Sequence, residues 1–375
     1  MIRRESPISR NEIAERLDVS LPTVMRIVDE LIKEDLIRPR SSTQWTGGRR
    51  RSLLEFNAEG QVVIGIDLGG VKFYGAIADL GGNILEEADV EREEKTGEES
   101  YSQLVGLINR LLASASIKER RLRGIGVGVP GITHHKEGIV TWSFALNWQD
   151  YPLKQKLTNA FQMPITVDND VNLAAVGELW FGAGQNTQNM VLVTVGTGIG
   201  AGVIIDGTLY RGSREASGEV GHMIVGREFL GKRFADFGAL ETMASGTGIA
   251  ARGRQAFDGP RPASPLAGPS AQEVFDAARQ GQAWAAQVID ETFDYLAIAI
   301  GNLSVAFDPE VIVLGGGLSR WADPLVEPIL RRLEGMIPTL PRLVVSPLGR
   351  RAVTMGAITN ILFNTDNFYL VRKLS

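Results

Sequence analysis

The sequence predicts an α/β protein in which a small winged helical module precedes a larger body of two lobes. Two short capped helices between residues 9 and 31 imply the module. Three β-branched runs, each closed by a glycine-rich turn, imply the body: Asp67-Leu-Gly-Gly70, Gly196-Thr-Gly-Ile-Gly200 and Gly315-Gly-Gly317. At 375 residues the chain also exceeds the usual size of one core, so two or three domains are expected.

Composition narrows the function classes. The absence of cysteine excludes disulfides and cysteine-based metal sites, and it fits a reducing, cytoplasmic setting. No stretch approaches the roughly 18 to 20 apolar residues of a spanning helix. Met1-Ile-Arg-Arg4 leads into polar sequence, so no membrane association is expected. A net charge of -5 argues against a chain that coats nucleic acid over its whole surface. Residues 1–56 nevertheless hold 11 Lys+Arg against 9 Asp+Glu, while the remainder holds 28 against 35. A mildly basic head on an acidic body is the distribution expected when only the head touches phosphates.

In the head, Ser9-Arg-Asn-Glu12 is a capping box followed by Ile13, Ala14 and Leu17 at helical spacing, predicting a helix from about Ser9 to Leu17. After the Asp18-Val19 turn, Ser20 can cap a second helix with Pro22 in its first turn. Val24, Ile27, Val28 and Leu31 form its single apolar stripe. Two helices joined so tightly make a helix-turn-helix, whose second helix opens into the major groove of DNA. Leu21, Pro22, Thr23 and Arg26 are therefore the expected contacts to base edges or phosphates. Leu36-Ile-Arg38, a polar stretch ending in Gly47-Gly-Arg-Arg-Arg51, and Leu53-Leu-Glu-Phe56 read as a hairpin wing with a basic tip. Arg49, Arg50 and Arg51 would lie along the backbone or in a narrow minor groove, where the negative potential favours arginine. The competing reading is a helical hairpin used only for dimerisation, with a solvated arginine run. It leaves the order of cap, turn, stripe and wing unexplained. A winged helix-turn-helix normally has one more helix before these two, and Met1–Pro7 is too short for a full one, implying a truncated helix or a start further upstream.

In the body, Val62-Val-Ile-Gly-Ile66 is a buried-strand run ending in Asp67, and the turn at Gly69-Gly70 leads to a strand from Phe73 to Ala78. Met190–Val195 repeats the plan, with Gly196–Gly200 leading into Ala201–Ile205. These turns connect strand to strand, whereas a dinucleotide-binding loop or a P-loop connects strand to helix. Two copies of one plan suggest two similar lobes facing across a cleft. Asp67, Gly69, Gly70, Gly196, Thr197, Gly198, Gly315 and Gly316 are the candidate phosphate-binding residues. Glycine lets backbone N–H groups approach phosphate oxygens, and Asp67 can hold a neutralising magnesium. Taken singly, a glycine turn after a strand is usually just a hairpin; three of them with an acidic partner favour the phosphate site. Further on, residues 258–269 read as a stiff proline-rich surface loop, followed by helical sequence from about Ala271 and a long apolar helix from Ala283 to Phe307. Glu91–Glu94 and Lys118–Arg123 read as solvated surface, the latter near DNA if not.

With these residues assembled, the chain resembles the ROK family, named for repressors, open reading frames and kinases. The resemblance rests on Asp67–Gly70, Val167-Asp-Asn-Asp-Val-Asn172 with Glu178, Gly196–Gly200, Gly218-Glu-Val-Gly-His222, Leu240-Glu241 with Ala244-Ser-Gly246, and Gly315–Gly317. It covers nearly the whole chain, and the winged head points to the regulator branch, similar to xylose repressors and N-acetylglucosamine repressors. The resemblance implies an actin-like, two-lobed ATPase fold of the sugar-kinase kind, assembled as a homodimer or homotetramer. The domains it implies are residues 1–56 for the winged module, 60–165 with 355–375 for the small lobe, and 166–354 for the large lobe.

By the same resemblance Asn169, Asp170, Glu219, His222 and Glu241 line a sugar site, and in a kinase Asp170 would be the general base. Carboxylates and imidazole accept hydrogen bonds from sugar hydroxyls, and a carboxylate beside an amide can orient and deprotonate one. A purely structural reading makes Asp170 the cap of a helix from Val171 to Trp180. The sequence also departs from the family. Between His222 and Glu241 three cysteines normally complete a structural zinc site; here Lys232, Phe234 and Ala239 stand in their places, so no zinc is expected and Phe234 would supply apolar packing instead. Val71 replaces a threonine of the first phosphate loop, and Ala145 replaces a sugar-contacting asparagine, with Asn147 two residues away.

Two functions compete. The first is a sugar-responsive transcriptional regulator, in the family's commoner pattern a repressor, whose partners are operator DNA and a sugar or sugar-phosphate effector. The second is an ATP-dependent sugar kinase that keeps an inherited DNA-binding head; ATP and magnesium belong only to that reading. A purely structural adaptor explains neither the pocket nor the wing.

Overall fold

The computed structural model describes residues 1–40, 53–92, 96–118, 120–234, 238–257, 268–318 and 323–364. The chain begins with α1 (Ile2–Glu5) and β1 (Ile8–Ser9), followed by α2 (Arg10–Leu17) and α3 (Leu21–Lys33). Ser9 caps α2 through a complete capping box with Glu12, and Asp18, at φ 55, turns the chain towards Ser20, which caps α3. The wing follows as β2 (Ile37–Arg40) and β3 (Leu53–Phe56), in a three-stranded antiparallel sheet of order β1-β3-β2. Ile8, Ile13, Val24, Val28, Ile37 and Leu54 close one small core beneath both helices and the wing. The four-residue α1 stands where a further helix was expected.

The body opens with β4 (Gln61–Leu68), β5 (Lys72–Asp79) and β6 (Ile84–Glu91), then α4 (Gly97–Leu112), α5 (Ala115–Lys118) and β7 (Arg121–Val129). A small antiparallel sheet follows, of β8 (Ile132–His134), β9 (Ile139–Ser143) and β10 (Trp148–Tyr151). Next come α6 (Leu153–Phe161), β11 (Ile165–Asn169) and α7 (Asp170–Phe181). The second half runs β12 (Met190–Val195), β13 (Ile199–Ile205), β14 (Thr208–Tyr210), α8 (Ala239–Ala244), α9 (Gly246–Ala256), α10 (Ala271–Arg279), α11 (Ala283–Phe307), β15 (Val311–Gly315), α12 (Asp323–Leu333), β16 (Leu343–Val345) and α13 (Ala352–Asn364). No helix among the described residues is long and apolar enough to cross a membrane.

Two five-stranded sheets repeat one topology. Their orders are β11-β7-β4-β5-β6 and β14-β13-β12-β15-β16. In each, three successive strands form an antiparallel meander, and two further strands add in parallel beside its first member. The body is thus a duplicated α/β unit, the actin-like arrangement. The second glycine turn is tighter than expected. Val195 already pairs with Ile199, so β13 starts inside the Gly196–Gly200 motif rather than at Ala201.

Helices α7 and α13 pack along one another, α13 lying on β4 and β7 and α7 on β12 and β13. Their backbones approach so closely that a Cβ added at Gly356 would strike the Leu173 carbonyl, and one at Gly177 the Ala352 carbonyl. The buried Glu178 of α7 accepts from the Ala183 N–H at 2.9 Å and from the Ser346 hydroxyl, tying the end of α7 to the segment ahead of α13. On its other side α13 gives Met355, Ile358 and Ile361 to a core shared with Leu31, Leu36 and Phe56 of the winged module.

The same junction corrects, at Arg123, the reading of Lys118–Arg123 as solvated surface, while Arg121 remains exposed. Arg123 has a side chain only 6% exposed and pairs with Glu34 at 3.1 Å, and Arg121 reaches the same carboxylate at 3.6 Å. Gln61 donates to the Glu34 carbonyl, and Asn57 donates to Asp35 at 2.8 Å. A basic run looks solvated in sequence because its acidic partner lies 89 positions away.

Candidate functional site

The residues expected to contact DNA lie in the first two turns of α3. Leu21 and Pro22 are exposed, Thr23 is half-buried with its hydroxyl 2.8 Å from that of Ser20, and Arg26 is exposed and paired with Glu30 at 3.1 Å. Met25, 47% exposed, lies among them and was missed; its spacing of four from Leu21 was the available signal. Arg49, Arg50 and Arg51 lie outside the described residues. Arg38 and Arg40, at the described base of the wing, both pair with Glu55.

In the cleft, the parallel strands β7 and β11 carry the chain to Asn169 and Asp170, where α7 begins. The helix cap is Asn169, not Asp170. Asn169 holds extended backbone angles and its Oδ1 accepts the Asn172 N–H at 2.9 Å, while its Nδ2 donates to the Gly131 carbonyl at 2.9 Å. Asp170 is already helical, and its carboxylate accepts from its neighbour Val171's N–H at 2.8 Å and from its own N–H. The Asp170 side chain thus takes no part in capping α7, which Asn169 performs. Burial, with the charge of Glu219 beside it, pushes the Asp170 carboxyl up to about 6.

Asp67, near the end of β4, is raised to about 8 by burial and by Asp170. Glu219 is also raised by burial, a shift opposed by His222. Glu241, on α8, is raised by burial and stabilised as a carboxylate by the Ile199 N–H and by His222. A Cβ at Gly221 would come within 2.7 Å of Glu241 Oε2, and one at Gly198 would strike Oε1. Glu241 therefore sits where the second glycine turn meets the Gly218–His222 segment. Asp67, Asp170, Glu219, Glu241 and His222 form one acidic, partly buried group linked by mutual electrostatics.

The glycine turns also converge. A Cβ at Gly70 would stand 3.4 Å from Thr197 Oγ1, which places the first turn against the second. A Cβ at Gly196 would lie 3.8 Å from the Gly317 N, which places the second against the third. Gly316, at φ 85, leaves no room for a side chain beneath Val195. Gly69 packs against the Lys72 carbonyl, and Gly315 ends β15. These residues fit a nucleotide's phosphates. Backbone N–H groups of these turns would take phosphate oxygens, and Asp67 would hold a magnesium ion that neutralises them. Val71, 67% exposed, offers no hydroxyl there.

At the expected zinc positions, Phe234 packs on the core with its ring 6.1 Å from Phe229, Lys232 lies over the Phe229 ring at 5.5 Å, and Ala239 is buried. No group of three His, Cys, Asp or Glu able to hold a metal occurs among the described residues. Asn147 is exposed in a left-handed turn at φ 52, away from the half-buried place of Ala145. Sequence reasoning missed a second polar cluster. Arg211 grips the buried Asp168 through two hydrogen bonds of 2.8 and 2.6 Å, and Glu215 lies 3.6 Å from Arg211 and 2.9 Å from His135 Nδ1. Asp168 stood inside the Val167–Asn172 motif, but nothing marked Arg211, 43 positions away.

A duplicated actin-like body with a sugar-kinase-type cleft, carrying a winged helix-turn-helix, defines the class. Residues 63–361 match the ROK family and residues 1–38 match a winged helix-turn-helix DNA-binding family. The chain belongs to the ROK family. It is 35% identical to a glucokinase of Halalkalibacterium halodurans, over 78% of this chain and 92% of that protein. It is 30% identical to a putative xylose repressor of a Caldicellulosiruptor species, over 95% of this chain and 92% of that one. A solved ROK family transcriptional regulator, described as a homologue of the Escherichia coli MLC protein, superposes with a TM-score of 0.82 at 26% identity, covering 96% of this chain and 94% of that one.

Proposed function

We propose that the protein is a sugar-responsive transcriptional repressor that reads operator DNA through α3 and the wing and holds an uncharged sugar between Asp170, Glu219, His222 and Glu241. The observation that carries this reading is the continuous packed path between the two sites. Asp170 opens α7, α7 crosses α13 at Gly177 and Gly356, and α13 shares a core with Leu31, Leu36 and Phe56 of the DNA-reading module. A ligand that changes the angle between the sheets moves α7 and α13, and with them the module. Operator affinity then changes by the difference in ligand binding between the two arrangements. In a homodimer or homotetramer the same movement would alter the spacing of two reading heads.

The lining favours the free sugar over its phosphate. Three carboxylates, Asp170, Glu219 and Glu241, surround the ligand space beside His222. Hydroxyls donate to such groups, whereas a phosphate dianion is repelled by them. The relatives name xylose and, through glucokinase, glucose as the sugars to try first. Calorimetric titration with D-xylose, D-glucose and their phosphates, followed by competition on duplexes selected by the protein from a random library, tests the reading. A neutral sugar is expected to bind and to weaken DNA binding. Tighter binding of the phosphate, or DNA affinity indifferent to every bound sugar, overturns it.

One observation favours ATP-dependent sugar phosphorylation as a second reading. Asp170 is released from capping, sits near pKa 6 and acts electrostatically on Asp67, which precedes the first glycine turn. A carboxylate of that basicity can take the proton of an attacking hydroxyl. ADP release with the same sugars, lost in Asp170→Asn, would establish it; no release from the parent protein removes it.

A further inference from the structure

The Arg211 cluster belongs neither to the DNA-reading face nor to the carboxylates that would touch the sugar, yet it joins the two halves of the sugar site. Asp168 is on β11, the edge strand of the first sheet, immediately before Asn169 and Asp170. Arg211 directly follows β14, the edge strand of the second sheet, and opens the segment that ends at Glu219. That segment is shaped by left-handed backbone at Gly212 (φ 73), Glu215 (φ 58) and Gly218 (φ 92), and it is closed by the Ser217 N–H donating to the Arg211 carbonyl at 3.0 Å. It is therefore a compact loop with Arg211 at one end and Glu219 just beyond the other.

The Asp168 side chain is 2% exposed and that of Arg211 is 19% exposed. Asp168 also accepts its neighbour Asn169's N–H at 2.8 Å, and Asn360 of α13 reaches it at 3.5 Å. Glu215, in the same loop, meets His135 in the turn between β8 and β9. Four separate parts of the fold are thus pinned on one guanidinium–carboxylate fork. A buried carboxylate of this kind holds its place only while the fork is complete.

We propose that Arg211 is a positioning residue of the sugar site: its bidentate grip on Asp168 sets Asn169 and Asp170 on one sheet against Glu219 from the other. The inference rests on the sugar site proposed above. Lysine at this position retains the charge but not the planar fork, so it holds the two sheets less well. The neutral pair Asp168→Asn with Arg211→Gln removes the fork without leaving an unpaired buried charge, and so separates positioning from simple destabilisation.

The test uses the full-length protein, Arg211→Lys and the double variant Asp168→Asn/Arg211→Gln. Melting temperature, amide hydrogen exchange and calorimetric titration with D-xylose and D-glucose are measured on each. Melting is expected to stay close to the parent in the double variant, while exchange accelerates together in residues 169–172 and 217–222. Sugar affinity is expected to fall roughly tenfold or more, as for a positioning group that makes no ligand contact itself. Unchanged exchange in those two segments, or sugar affinity that follows only the change in melting temperature, overturns the proposal. If the parent binds neither sugar, the sugar reading fails on its own, and joint acceleration in the two segments still decides whether Arg211 couples them.

Discussion

The DNA-reading head and the sugar cleft are built in opposite ways. The head exposes its working residues on one short helix, shaped by residues within about fifty positions of one another: Ser9, Glu12, Asp18 and Ser20 at the caps and turn, and Val24 and Val28 packed on Ile8, Ile13, Ile37 and Leu54. The cleft gathers Asp67, Asp170, Glu219, His222 and Glu241 from segments spread over some 170 positions, and it keeps them partly buried among like charges. One site is a surface fixed by local contacts; the other is a cavity fixed by long-range ones. A regulator needs this inequality, because the cleft must rearrange when it fills while the reading helix must move as a rigid piece.

The largest expected effect comes from cutting the junction between the two. Arg123→Ala removes a buried side chain and the nearer partner of Glu34, leaving only Arg121 at 3.6 Å, and should destabilise the attachment of the head by about 3 kcal/mol. Calorimetric melting is expected to show a separate early transition for the head, and a single unshifted transition would show that the junction is not needed. Next in size, Glu241→Ala should cost about 1.5–3 kcal/mol of sugar affinity through loss of a charged acceptor, with affinity for DNA in the absence of sugar unchanged. An equal loss at both sites would erase the contrast drawn here. The mirror experiment is Arg26→Ala, expected to weaken DNA binding by about 1–3 kcal/mol with no change in sugar titration. Anisotropy with labelled duplex and calorimetry on the same preparation would settle it.

The smallest effect concerns proton linkage at Asp170. Its folded pKa of about 6 lies above the ordinary carboxylate value of 3.8, so the folded state binds this proton more tightly than the unfolded state does. The resulting stability is fully present below about pH 4 and is lost as pH rises through about 6. Asp170→Asn should therefore raise the melting temperature by a few degrees at pH 7, and the gain should vanish near pH 4. An equal gain at both pH values would show that the substitution acts through packing rather than charge.

These two architectures also explain which parts of the chain were readable. The bounds of β12 and α11 match the expected Met190–Val195 and Ala283–Phe307, because periodicity and flanking turns act locally. The resemblance named Asp170, but the sequence left open its relation to the helix. A cap is decided by which of two neighbouring residues takes extended backbone angles, and the parallel pairing of Asn169 with Val129 gives that role to Asn169. Arg123 and Arg211 were illegible for one reason: each owes its burial to a carboxylate far away in the chain.

By itself, the amino-acid sequence determined the local pieces: the capped helices of the head, the strand-turn-strand repeats and the glycine turns. Each follows from contacts within a few residues or from a repeated pattern. Only the tertiary structure decided that α7 and α13 cross at two glycines, that Arg123 and Glu34 dock the head, and that Arg211 grips Asp168 beside the site. Those outcomes depend on how two similar sheets meet in space, because a buried charge finds its partner only after distant segments have packed.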